Sequence, residues 1–113
     1  MPSGFVESAL WRTYFHAEAA DTRTLFTSYG HAFERAVAAL EHVCTNVVGG
    51  ERGRLRGDWP RRRPAIRLEV RLSELAPGQV GVAISAHPAG LTLFPARRCR
   101  HAVRQLVRAL IYD

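Results

Sequence analysis

The sequence predicts an α+β fold: a three- to four-stranded antiparallel meander, packed on one face by a long helix from the N-terminal half and by a C-terminal helix. Three observations carry this prediction. Residues 65–72 alternate between apolar and charged side chains, the two-residue period of a half-buried strand. Tyr29, Phe33, Ala36, Leu40, Val43 and Val47 recur at steps of four and three, an apolar seam along one helical face. Between residues 95 and 111 two stripes, one apolar and one basic, run along opposite faces of a helix. One is Cys99, Val103, Leu106 and Leu110; the other is Arg97, His101, Arg104 and Arg108.

Each element follows from local chemistry. Residues 5–20 fit a helix through Val6, Leu10 and Tyr14, or a strand from Ala9 to Ala17. The aromatic density of Trp11, Tyr14 and Phe15 favours an edge strand. Residues 22–48 read as the long helix, capped by Asp21 or Ser28 and ended by Gly49 and Gly50. Gly30 weakens its beginning, so the firm part starts at Ser28. Residues 49–64, dense in Gly and Pro and without periodicity, read as a mobile basic loop. Ile66, Leu68, Val70 and Leu72 form the inner side of the first meander strand. Pro77-Gly78 makes a turn, Pro presetting the first central residue and Gly allowing positive φ at the second. Val80, Val82 and Ile84 continue as a strand whose other side, Gly81, Ala83 and Ser85, is small. After a turn at 87–90, Leu91 and Leu93 make a short third strand. Pro95 opens the last helix, where its missing N–H does no harm.

A chain of 113 residues implies one domain over 1–113. The apolar fraction of 47% excludes wholesale disorder. No apolar run reaches the roughly 18 to 20 residues of a membrane span, and no secretory signal is visible. Cys44 and Cys99 fall in apolar stripes without CxxC spacing, so buried thiols are expected rather than a disulfide framework or zinc site. An intracellular location follows, cytoplasmic, or nuclear in a eukaryotic or viral setting.

All sixteen basic residues are arginine, and the net charge is +6. GC-rich coding produces such a bias without any function. Its physical consequence stands regardless, because the planar guanidinium fork suits phosphates and carboxylates. Anionic partners are therefore expected. Arg52, Arg54, Arg56, Arg61, Arg62 and Arg63 crowd into twelve residues around Trp59, whose indole is suited to stacking on an unpaired base. A solvated linker is the competing reading of that loop. Arg97, Arg98, His101, Arg104 and Arg108 form the second candidate surface, widened by Arg100; an ordinary solvated helix face is the competing reading there.

Catalytic chemistry finds no support in motifs. GxSxG, GxxxxGK[ST] and GxGxxG are absent, and the five histidines lack HExxH-like spacing. No metal or cofactor is expected. Arg56-Gly57-Asp58 is an RGD tripeptide, a match that arises readily by chance.

The order helix, three strands, helix over residues 28–111 resembles the topology of double-stranded-RNA-binding domains. Those domains also place basic residues at the start of the last helix, where Arg97, Arg98 and Arg100 sit. Their short basic loop before that helix is replaced here by Leu-Thr-Leu-Phe-Pro, so the resemblance is one of element order. The functional expectation is a small, non-enzymatic nucleic-acid-binding protein, contacting RNA or DNA, with RNA favoured because the basic segment reads as a flexible loop. The alternative is an adaptor or inhibitor that meets an acidic protein surface. A homodimer through the sheet or its edge is also expected, against a monomer in which residues 5–20 fold over the small-residue face.

Overall fold

The computed structural model describes residues 19–49, 53–60, 65–90 and 95–112. Strand β1 (Ala19–Leu25) leads into helix α1 (Tyr29–Val43), followed by β2 (Thr45–Gly49), β3 (Arg54–Trp59), β4 (Ile66–Ala76), β5 (Gln79–Pro88) and helix α2 (Pro95–Tyr112). The strands form one sheet in the order β1-β5-β4-β3-β2, with every neighbouring pair antiparallel. The α+β class and the antiparallel sheet agree with the sequence. The strand count does not: five strands are described, not three or four, and four of them lie between the helices. The likeness of element order to double-stranded-RNA-binding domains fails on that count.

α1 begins where Ser28 accepts a hydrogen bond from the His31 N–H at 3.2 Å. Asp21 is no helix cap, since it sits inside β1. The helix ends at Val43, well before Gly49 and Gly50. Cys44 turns extended, at φ −124° and ψ 161°, while its N–H still reaches Leu40 O at 2.7 Å. The apolar seam continues through Val47, but Thr45, Val47 and Val48 are β-branched, and Asn46 takes the left-handed φ of 54° that breaks the helix.

β3 replaces the expected loop at its centre. Leu55, Gly57 and Trp59 point inward and are buried, whereas Arg54 and Arg56 point outward. A glycine in the middle of the inner row hid this alternation. It is there because the chain approaches closely: a Cβ on Gly57 would lie 2.8 Å from Cys44 Cβ. Residues 50–52 and 61–64 lie outside the described residues, as do the strands expected at Ala9–Ala17 and at Leu91 and Leu93.

β4 and β5 form the expected hairpin, with Gly78 at φ 78°. The core joins Ile66, Leu68, Val70 and Leu72 of β4, Val80, Val82, Ile84 and Ala86 of β5, and the buried faces of both helices. α1 contributes mainly alanines, Ala32, Ala36 and Ala39, with Leu40. α2 contributes Cys99, Ala102, Val103, Leu106, Ala109 and Leu110. Arg35 Nη2 of α1 donates to Leu110 O at 2.6 Å, tying the helices together at the end of α2.

The register places Arg54, Arg56 and Asp58 beside Arg71, Glu69 and Arg67 on the face away from the helices. Gly81, Ala83 and Ser85 share that face with Thr24, Thr22 and Ala20 of β1. The small-residue face is not simply open. Leu75 packs against Gly81, whose Cβ would meet it at 3.3 Å, and Ser85 is only 3% exposed.

Candidate nucleic-acid interface

The fold divides the arginines expected to act together. Arg54 and Arg56 stand on the outer face of the sheet; Arg97, Arg98, His101, Arg104 and Arg108 ride on α2, across the core. Arg52, Arg61, Arg62 and Arg63 lie outside the described residues.

The two surfaces differ in their electrostatics. On the sheet, cations and anions interleave. Arg56 opposes Glu69 and Arg67 opposes Asp58. Arg67 Nε lies 3.5 Å from Asp58 Oδ1, and Asn46 Nδ2 donates to Asp58 Oδ2 at 3.4 Å. His87 Nε2 lies 3.8 Å from Glu69 Oε1. Cross-strand pairs of this kind stabilise a sheet modestly and offset two of the four arginines on this face, where Arg54 stands opposite Arg71. An incoming phosphate would have to compete with carboxylates already in place.

α2 contains five arginines and no Asp or Glu. Arg97, Arg100, His101, Arg104 and Arg108 are exposed, and Arg98 is half-buried. From Arg97 to Arg108 the helix rises about 16 Å at 1.5 Å per residue, so a row of arginines roughly three turns long, with no acidic side chain of α2 among them, faces solvent. Its orientation is set from beneath by the apolar stripe that the sequence showed.

Trp59 also holds that orientation, and here the structure overturns an expectation. The indole is 4% exposed, so it offers no face to an incoming base. Its Nε1–H donates to Gln105 Oε1 of α2 at 2.9 Å, and its ring meets that of His101 edge-on at 5.7 Å. Trp59 is inward because it continues the row begun by Leu55 and Gly57. Sequence reasoning missed Gln105, which looked like one polar residue among arginines; the two-residue spacing from Leu55 to Trp59 was the signal that pointed inward.

Cys44 packs behind β3. Burial, assisted by the negative charge of Asp58, pushes its thiol from 9.0 up to about 12, so it stays protonated at neutral pH. A nucleophilic role does not suit such a thiol. Among the described residues, no group of three or more His, Cys, Asp or Glu side chains is placed to hold a metal. No described helix is long and apolar enough to cross a membrane.

No protein-family model matches the chain, and no curated protein matches it by sequence. Among solved structures the fold is similar to that of the di-domain ARO/CYC StfQ from the steffimycin biosynthetic pathway, with a TM-score of 0.50 and 12% identity. The match covers 81% of this chain and 43% of that protein, so the chain spans less than half its length. At that identity the likeness is one of fold alone.

Proposed function

We propose that the protein binds nucleic acid without catalysing a reaction, using the exposed arginine face of α2 to contact phosphates. The observation that carries this reading is the absence of any carboxylate on a helix with five arginines. Guanidinium groups along one face neutralise phosphates and release condensed counterions, which drives binding without sequence selectivity. The outer sheet face is secondary, because Asp58 and Glu69 stand among its arginines and offset two of the four.

The preference for RNA needs a different footing from a flexible loop, since Arg54–Trp59 is a paired strand and Trp59 is buried. Both nucleic acids therefore belong in the test. Fluorescence anisotropy at about 50 mM salt, with random-sequence single-stranded RNA and duplex DNA, should show binding in the micromolar range typical of non-specific contacts. Arg104→Glu with Arg108→Glu should abolish it while leaving the circular dichroism spectrum intact. No binding of either nucleic acid at low salt would overturn the proposal and favour an acidic protein partner.

A further inference from the structure

Among the described residues nothing pairs with the outer edge of β1, which ends the sheet. Its sequence, Ala19-Ala20-Asp21-Thr22-Arg23-Thr24-Leu25, has opposite charges placed symmetrically about Thr22. The Thr22 N–H is not used in the ladder to β5. It donates to Asp21 Oδ1 at 2.8 Å, while Asp21 Oδ2 accepts from Arg23 Nη2 at 3.0 Å. One carboxylate thus occupies both the central edge donor and the neighbouring cation. Backbone groups at alternate residues point the same way, so Ala20, Thr22 and Thr24 share this outward edge.

We propose that β1 is a homodimer edge, where a second copy adds antiparallel about a two-fold axis through Thr22. In that register Asp21 stands opposite Arg23 of the second copy, and Arg23 opposite its Asp21. Ala20 faces Thr24, and Ala19 faces Leu25. Opposed residues are two, four or six apart in sequence, so outward backbone groups meet outward backbone groups throughout. The Thr22 N–H exchanges its own-chain carboxylate for the Thr22 carbonyl of the second copy, and the reciprocal bond forms with it. Each Asp21–Arg23 ion pair within a strand becomes one across the interface, so no charge is left without its counterpart. A two-fold axis demands this self-complementarity, because the same patch must fit itself. Phe26, 78% exposed, stands immediately beyond the pairing segment, an apolar side chain of the kind an interface covers. The result is one sheet of ten strands with both α2 helices on the same side, since α2 and the core lie on one face of each copy.

Sedimentation equilibrium of the full chain from about 1 to 100 μM tests the proposal. The mass should rise toward twice the 12.6 kDa of the chain. Thr22→Pro removes the central donor without costing a β5 bond, so it should fold, by circular dichroism, and remain monomeric. Asp21→Arg sets like charges opposite each other at two places and should weaken dimerisation about ten-fold. Asp21→Arg combined with Arg23→Asp recreates both pairs in reverse and should restore it. A monomer across the whole range overturns the proposal. So does a folded Thr22→Pro variant that still dimerises, or a double charge swap no better than Asp21→Arg alone. Should Thr22→Pro not fold, the charge series decides by itself.

Discussion

Cys44 and Gly57 show how closely single residues constrain this molecule. They face one another across the junction of α1 and β3, where a Cβ on Gly57 would sit 2.8 Å from Cys44 Cβ and 3.2 Å from its Sγ. Gly57→Ala must push β3 away from the helix end, and overpacking of this kind costs about 1–3 kcal/mol. Urea denaturation should show that loss; an unchanged midpoint would overturn the prediction. The Cys44 thiol supplies a second test. Its pKa in the folded chain is raised to about 12 from 9.0. Between those values the folded state keeps a proton that the unfolded state has lost. Its contribution to stability is therefore complete below pH 9 and is lost as the pH rises toward 12. Stability measured against pH should fall more steeply over that window for the parent than for Cys44→Ala, which has no thiol to titrate. A thiol reagent at pH 8 should label Cys44 far more slowly in the native than in the unfolded chain.

At the scale of elements, α2 is held from three directions: its apolar stripe, Trp59 with Gln105 near its middle, and Arg35 at its end. Arg35 Nη2 reaches Leu110 O at 2.6 Å, satisfying one of the terminal carbonyls that every helix leaves unpaired and placing a cation at the negative end of the helix dipole. Arg35→Met keeps much of the stem but removes the donor. It should cost about 1.5–3 kcal/mol, the range for hydrogen bonds to charged groups, and speed amide exchange in the last turn of α2. Trp59→Phe should cost less, about 1 kcal/mol, by leaving Gln105 Oε1 without its donor. These ties also mark the limits of reading elements from sequence. The stripe on α2 and the alternation in β4 and β5 were legible because apolar side chains stood at every expected position. β3 was not, because Gly57 interrupts its inner row and Arg54, Arg56 and Asp58 suggested solvent. The second half of β1, residues 22–25, was absorbed into the long helix, because only Leu25 of the strand's seven residues is buried and an edge strand needs little else. The end of α1 was misplaced because the seam through Val47 keeps helical spacing after the backbone has turned extended.

At the scale of the whole molecule, the described residues present two arginine surfaces that a sequence shows only as one excess of positive charge. Nothing in residue order says that Arg54 and Arg56 lie on one side of the core while Arg97, Arg100, Arg104 and Arg108 lie on the other; strand register and helix packing decide it. This separation makes the proposed binding mode quantitative. Each phosphate neutralised on duplex DNA contributes about −0.9 to the slope of log affinity against log salt, and about −0.7 on a single strand. If the four exposed arginines of α2 supply the contacts, the slope is no steeper than about −3.6 on duplex and −2.8 on single-stranded nucleic acid. Removing Arg104 as Arg104→Ala should flatten it by a little under one unit. Arg54→Ala with Arg56→Ala removes the same kind of charge from the opposite face, and should leave the slope within error of the parent. A slope well beyond those limits, or an equal response to substitutions on both faces, would mean that the ligand wraps the sheet as well as the helix. The comparison needs affinities for the three proteins at four salt concentrations between about 50 and 200 mM, the range over which counterion release dominates. An acidic protein surface would also weaken with salt, so the same series run with the nucleic acid replaced by polyglutamate tells the two anions apart. Phosphate recognition by paired guanidinium donors predicts tighter binding to the nucleic acid at every salt concentration.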